Sequence, residues 1–188
     1  MTASPEALLE RRDKSRASER WSGILLALLM LAALGLAGRN ILAIALGPLP
    51  PGPGKPAPAF AGENLRGEKV DLGSLKGKVV LLDFWATWCP PCVASMPHLQ
   101  KIQDDLGSRG LIVLGVNQEP GEEEKVRRFL QRRSLTFPSI VDRGNIHVTY
   151  GVYSFPTTFV IDRQGIIRAT FRGPASEESL VKAIEPVL

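Results

Sequence analysis

Cys89 and Cys92 are the residues of this chain whose type and spacing could do redox chemistry. They are its only cysteines, and Pro90 and Pro91 separate them. A spacing of two residues lets one sulfur reach the other and close a disulfide reversibly. Both stand where a helix is predicted to begin after an apolar run, and the positive end of a helix lowers the pKa of a thiol. The pattern predicts that Cys89, the more exposed of the two, attacks a substrate disulfide and that Cys92 resolves the mixed disulfide.

Other uses of a cysteine pair fit the sequence less well. A structural disulfide that closes a ring over two residues restrains the unfolded chain little. A zinc site needs about four ligands, and the chain has only His98 and His147 to add to the cysteines, so no metal or other cofactor is expected. Two soft thiolates could hold Cu(I) for delivery to an oxidase, although no methionine-rich copper motif accompanies them. Stoichiometric Cu(I) binding by the reduced domain would favour that alternative.

Alternating strands and helices are predicted to position the cysteines. Residues 78–85 form a continuous apolar run, which is typical of a central strand buried on both faces. A helix follows from about Pro90, with apolar residues at helical spacing as far as about Gly107. Residues 111–116 predict a second buried strand, and a hairpin and a helix capped by Ser176 close the chain. This order predicts an α/β fold with a central mixed β-sheet flanked by helices.

The N-terminal part of the chain predicts a membrane anchor and a linker. Residues 1–21 are polar and partly basic, and residues 22–47 are apolar apart from a short polar break at Arg39. About 20 apolar residues span a bilayer, so 22–47 is predicted to be one transmembrane signal anchor that is not cleaved. Basic residues mark the cytoplasmic end of such a helix, which puts the tail in the cytoplasm and the rest in the periplasm or at the outer face of the cell membrane. Proline-rich residues 48–57 predict a spacer, and residues 58–188 the folded domain.

The charge pattern does not favour a nucleic-acid partner. The net charge is +4, and most of the arginines are interleaved with acids. There is no basic stripe with interleaved aromatic residues, which is the usual mark of a nucleic-acid surface.

Two motifs resemble those of the thioredoxin superfamily. WCPPC at residues 88–92 follows an apolar strand, and YGVYSFPTTFVID at residues 150–162 is similar to the segment around that superfamily's cis-proline. With the predicted anchor and an AhpC/TSA-like lead-in before the cysteines, residues 56–188 resemble the membrane-anchored TlpA/ResA-type thiol–disulfide oxidoreductases. The resemblance implies a thioredoxin-like fold with an N-terminal strand extension and an inserted β-α unit between the active-site helix and the proline loop.

The resemblance also implies roles for individual residues. Pro156 would be cis, the backbone of Phe155 would offer an edge to an extended substrate, and Trp88 would form part of the substrate surface. Asp83 lies in the predicted central strand, where these proteins often place a buried acid. An acid in an apolar strand is costly unless it is used or paired. Because burial raises the pKa of a carboxyl, Asp83 is predicted to accept the proton of Cys92.

The resemblance implies a reductant of protein disulfides, for example of apocytochrome c CxxCH cysteines during cytochrome c maturation. A reductant in an oxidising compartment must be recharged, which implies a membrane electron donor of the DsbD/CcdA kind. Because the reduction potential sets the direction, a disulfide oxidant or isomerase is an alternative. Several anchored relatives carry a glutamate between the cysteines, whereas this chain has Pro90 and Pro91 there. The reduction potential of those relatives therefore cannot be assumed for this chain. A peroxidase fits less well, because Thr87 lies two residues before Cys89 rather than three.

Overall fold

The computed structural model describes residues 29–33, 35 and 51–188. The predicted cytoplasmic tail 1–21 lies outside the described residues. So does the predicted anchor 22–47, apart from a short helical stretch at 29–33 and 35. Among the residues that the structure describes, no helix is both long enough and apolar enough to cross a membrane.

Strands and helices alternate between residues 51 and 188. The strands are β1 (Ala61–Glu63), β2 (Lys69–Asp71), β3 (Val79–Trp85), β4 (Leu111–Asn117), β5 (Ser139–Val141), β6 (Thr157–Ile161) and β7 (Ile167–Arg172). The α-helices are α1 (Pro90–Leu106), α2 (Glu123–Arg132), α3 (Ile146–Thr149) and α4 (Glu177–Ile184). Short 3-10 turns occupy Leu72–Leu75, Gly107–Arg109 and Glu185–Val187.

A five-stranded mixed sheet forms the centre of this part of the chain, in the order β5-β4-β3-β6-β7. The central strand β3 pairs in parallel with β4 and antiparallel with β6. Strand β5 is parallel to β4, and β7 is antiparallel to β6. The carboxyl ends of β3, β4 and β5 therefore meet at one edge of the sheet, and the cysteines follow β3 at that edge.

Each face of the sheet buries its own apolar cluster. Because side chains alternate along a strand, β3 directs Leu81 and Trp85 to one face and Leu82 and Phe84 to the other. The first face packs against apolar residues of α1, α2 and α4. The second packs against the aromatic ring of Tyr150 and the short helix α3. Every residue of β3 is buried, which confirms the prediction of a central strand covered on both faces.

Helix α1 begins at Pro90 because proline is tolerated in the first turn, where its missing N–H has no helical partner. The helix buries one stripe of side chains at helical spacing, namely Cys92, Met96, Leu99, Ile102 and Leu106. The predicted C-terminal helix is present as α4, whose Ser176 accepts a capping hydrogen bond from the N–H of Ser179 at 3.2 Å.

Residues 54–57 are hydrogen-bonded to the folded domain, although their proline content predicts a spacer. The N–H of Gly54 donates to the carbonyl of Ile167, and the N–H of Ala57 donates to the carbonyl of Gly165, both at 2.8 Å. Non-proline residues between the prolines supply these donors. This part of the predicted spacer therefore pairs with the start of β7 and the turn before it, and is held against the domain.

The N-terminal strands form a small sheet of their own. β1 and β2 pair antiparallel, outside the central sheet. The hairpin contacts the central sheet through a bridge between Asn64 and Ile140 of β5 and through the N–H of Leu65, which donates to the carbonyl of Ser139 at 2.9 Å. The hairpin thus covers part of the edge of β5.

Candidate active site

Cys89 and Cys92 form a disulfide at the N-terminal end of α1. The S–S distance is 2.07 Å, and Cys89 is the N-cap residue of the helix. The N–H of Cys92 points at the sulfur of Cys89 at 3.3 Å. When the disulfide is reduced, this N–H and the positive end of the helix stabilise a thiolate at Cys89. The geometry therefore favours Cys89 as the nucleophile of the pair.

Both cysteines are buried in the oxidised protein. Cys89 is 4% exposed and Cys92 is 1% exposed. Cys89 is the more exposed of the two, in agreement with the prediction, but the exposed fraction of Cys89 is small. An incoming thiol or disulfide must therefore approach closely along the surface around Cys89.

Two aromatic side chains form that surface. The peptide bond between Phe155 and Pro156 is cis, as predicted. The loop before this bond places the Phe155 ring edge-on to the Trp88 ring, with 6.0 Å between centroids. Phe155 packs against the cluster that contains both cysteines, and Trp88 is 62% exposed. The structure thus brings Trp88 and the cis-proline loop together beside the disulfide, leaving an aromatic surface open to solvent.

Asp83 lies inside the sheet, on the same face as the cysteine helix. It alternates with Leu81 and Trp85 along β3, and it is 2% exposed. Its Oδ1 accepts a hydrogen bond of 2.8 Å from the hydroxyl of Thr158, its neighbour in β6. Burial raises the pKa of Asp83 to about 7, and the hydrogen bond opposes this only in part. A carboxyl with this pKa can accept and return a proton near neutral pH.

A second buried acid, Glu119, also reaches the active-site loop and is absent from the sequence predictions. It follows β4, and its carboxylate accepts hydrogen bonds from the backbone N–H and the hydroxyl of Thr87. Burial raises its pKa, but hydrogen bonds from Lys125, Thr87 and Asn117 outweigh this and lower the pKa of Glu119 to about 2. A sequence signal existed, since an acid just after a buried strand lies at the edge of the sheet where the active site is found.

The same edge offers no cluster of metal ligands in the part of the chain that the structure describes. No group of three or more histidine, cysteine, aspartate or glutamate side chains is placed there to hold a metal ion. The chemistry assembled at this edge is a cysteine pair at a helix N-terminus, a buried acid that can exchange a proton, and an aromatic surface. This arrangement can carry out thiol–disulfide exchange.

The chain is similar in sequence to known thiol–disulfide oxidoreductases. It is 39% identical over 134 residues to the thioredoxin-like protein YneN of Bacillus subtilis, covering 70% of this chain and 78% of that protein. It is 38% identical over 134 residues to the thiol-disulfide oxidoreductase ResA of Halalkalibacterium halodurans, covering 70% of this chain and 75% of that protein.

Solved structures show the same fold. A putative thiol:disulfide interchange protein DsbE from Chlorobium tepidum superposes with a TM-score of 0.68 at 33% identity, covering 73% of this chain and 98% of that chain. A secreted thiol-disulfide isomerase from Corynebacterium glutamicum superposes with a TM-score of 0.64 at 27% identity, covering 70% of this chain and 84% of that chain. The model of the AhpC/TSA family matches residues 53–170. The chain therefore belongs to the AhpC/TSA family and is a thioredoxin-like thiol–disulfide oxidoreductase of the ResA/TlpA/DsbE type.

Proposed function

We propose that this oxidoreductase reduces protein disulfides outside the cytoplasm. The observation that carries the proposal is the placement of the cysteine pair. Cys89 caps a helix whose N-terminus stabilises its thiolate, and Cys92 lies deeper, on the face of the sheet that also holds Asp83. A nucleophile at a helix N-terminus, a resolving thiol that is more deeply buried and a proton acceptor are the groups that such a reductant needs.

The reaction takes place in two exchanges. The Cys89 thiolate attacks one sulfur of the substrate disulfide, and the other substrate sulfur leaves as a thiolate, which takes up a proton. Asp83 then accepts the proton of Cys92, whose thiolate attacks the Cys89 sulfur. The second substrate sulfur leaves as a thiolate and takes up a proton. The products are the Cys89–Cys92 disulfide and a substrate dithiol, so two electrons and two protons have passed to the substrate.

The substrate is proposed to be an extended polypeptide with a solvent-accessible cysteine pair, for example the CxxCH segment of an apocytochrome c. An extended chain could pair with the backbone of Phe155 next to the cis bond at Pro156, and its apolar residues could contact the exposed ring of Trp88. Exposed aromatic side chains give large contact area at low entropic cost, which suits recognition of an unfolded segment.

The compartment in which the reaction takes place is inferred from the N-terminal segment and from the need of a reductant for a source of electrons. Residues 22–47 are proposed to anchor the protein, with residues 1–21 in the cytoplasm and the catalytic domain outside. A reductant in that oxidising compartment needs electrons from across the membrane, and a donor of the DsbD/CcdA kind would supply them. Loss of the domain when spheroplasts are treated with external protease would support this orientation, and its full protection would contradict it.

The test of the activity uses a peptide that carries an oxidised CxxC pair followed by histidine. Reduced protein should reduce this peptide, and Cys92→Ser should capture it as a stable mixed disulfide through Cys89 because the resolving thiol is absent. If electrons pass only from the reduced peptide to the oxidised protein, the result would instead favour the oxidant or isomerase alternative.

A further inference from the structure

The side chain of Glu119 is hydrogen-bonded to the loop that carries the attacking cysteine. Its Oε2 accepts a hydrogen bond of 2.6 Å from the backbone N–H of Thr87, and its Oε1 accepts one of 2.7 Å from the hydroxyl of the same residue. One carboxylate therefore holds the backbone and the side chain of Thr87 together, which leaves that residue little freedom to rotate.

Thr87 is part of the turn that ends in Cys89. The N–H of Cys89 donates to the carbonyl of Ala86 at 3.2 Å, so residues 86–89 form a β-turn with Thr87 as its second residue. A restraint on the second residue of a turn fixes the direction in which the chain leaves it. The carboxylate of Glu119 therefore restrains the position of the Cys89 backbone.

The carboxylate itself is held firmly and in its charged form. Besides the bonds from Thr87, its Oε2 accepts from Nδ2 of Asn117 at 3.1 Å and its Oε1 accepts from Nζ of Lys125 at 2.8 Å. Each oxygen thus receives two hydrogen bonds, and bonds to an ionised acceptor are the stronger kind. Since the pKa of Glu119 is about 2, this arrangement does not change over the pH range in which thiols titrate.

On its C-terminal side the helix holds Cys89 through its carbonyl, which accepts from the N–H of Val93 at 3.0 Å. Pro90 and Pro91 follow Cys89 directly, and neither has a backbone N–H to donate. The first N–H beyond Cys89 belongs to Cys92, and it points at the Cys89 sulfur. The side-chain restraint on the turn before Cys89 comes from Glu119, through Thr87.

We propose that Glu119 is a positioning residue for disulfide exchange, which by holding Thr87 aims the Cys89 sulfur at the incoming disulfide. The proposal rests on the proposed function, in which Cys89 is the attacking thiol. Exchange requires the attacking sulfur to lie in line with the bond that breaks. A misplacement of about 1 Å can cost about a hundredfold in rate.

Substitutions at Thr87 and Glu119 distinguish a role in positioning the Cys89 sulfur from a role in stabilising the fold. Thr87→Ser keeps both hydrogen bonds, and Thr87→Val keeps the size and the backbone bond but removes the hydroxyl. Glu119→Gln removes the charge and turns an NH₂ group toward donors. Glu124→Gln is the matched control, because Glu124 lies exposed on α2 and pairs with Arg127 and Arg128 at the surface.

The experiment measures the rate constant at which each reduced, native protein reacts with oxidised glutathione, together with the free energy of unfolding of each variant. We expect Glu119→Gln to react about tenfold more slowly or worse, and Thr87→Val to fall between it and the wild type. Thr87→Ser and Glu124→Gln should react at the wild-type rate. A loss of stability in Glu119→Gln and Thr87→Val with no change in rate would overturn the proposal.

If Glu119→Gln does not fold, the pair of variants at Thr87 decides. A slower reaction in Thr87→Val that Thr87→Ser restores supports the proposal, and an unchanged rate in Thr87→Val overturns it. Mapping the acid-quenched mixed disulfide by mass spectrometry tests the underlying function separately. Glutathione on Cys92 would overturn the assignment of Cys89 as the attacking thiol, whereas glutathione on Cys89 with unchanged rates would overturn the role of Glu119 alone.

Discussion

Replacing Asp83 by asparagine is expected to stabilise the fold at high pH and to slow the enzyme at the same time. The pKa of Asp83 is raised from its ordinary value of 3.8 to about 7, chiefly by burial. Between these two values the unfolded chain has lost this proton and the native protein has kept it. The native state therefore loses stability as the pH rises from about 4 to about 7.

The size of this effect follows from the shift in pKa. A difference of roughly three pKa units, at about 1.4 kcal/mol each, destabilises the native protein by about 4 kcal/mol at pH 8 and by almost nothing at pH 3. Asparagine cannot ionise, so Asp83→Asn removes this penalty. Its Oδ1 can still accept from Thr158, so the substitution keeps that hydrogen bond.

The assay is urea denaturation of the oxidised wild type and of Asp83→Asn between pH 4 and pH 8. The free energy of unfolding of the variant minus that of the wild type should rise by about 4 kcal/mol across this range. Asp105→Asn removes an exposed carboxylate that pairs with Lys101, and as a control it should change the free energy by less than about 1 kcal/mol. A constant difference between Asp83→Asn and the wild type would show that the buried carboxyl keeps an ordinary pKa in the native protein.

The catalytic consequence has the opposite sign. Without a proton acceptor on the Cys92 side, Asp83→Asn should release mixed disulfides much more slowly, while the first attack by Cys89 should be little changed. Stopped-flow measurement of the two steps tests this. Equal slowing of both steps would contradict the role of Asp83, and a variant that is more stable but slower in the second step would support it.

Other parts of the structure allow further tests. Asp142→Ala should lower the free energy of unfolding by about 2 kcal/mol, because the Asp142 carboxylate accepts from the N–H groups of Ile146 and His147 at 3.0 and 2.8 Å. Urea denaturation measures the loss, and an unchanged free energy would contradict this prediction. Gly115→Ala should lower the free energy of unfolding by about 1–3 kcal/mol through overpacking, because a Cβ there would lie 2.8 Å from Oγ of Ser139 and from Nε1 of Trp85. The melting temperature measures this loss of stability, and an unchanged melting temperature would show that the neighbours move apart freely.

The elements that position the cysteines could be predicted because their sequence patterns are continuous. An apolar run of strand length and an apolar stripe at helical spacing identify β3 and α1. A lone acid within that run identifies Asp83 as a group whose pKa is perturbed. These signals are local, and each depends on a few neighbouring residues.

The contacts that remained unpredicted depend on how separate segments come together. Glu119 reaches Thr87 because β4 lies beside β3 in a particular register, and no local pattern states that register. Helix α3 has only four residues, Ile146–Thr149, which is too short to show a helical period. Residues 54–57 join β7 through backbone hydrogen bonds, and these do not depend on side-chain type.

The reduction potential of the Cys89–Cys92 pair, equilibrated against defined thiol buffers, tests the proposed reductant most directly. We predict a value near or below about −270 mV, the range of thioredoxin, because the pair must give up its electrons to substrate disulfides. A value near about −120 mV, the range of DsbA, would contradict it and would make the protein an oxidant.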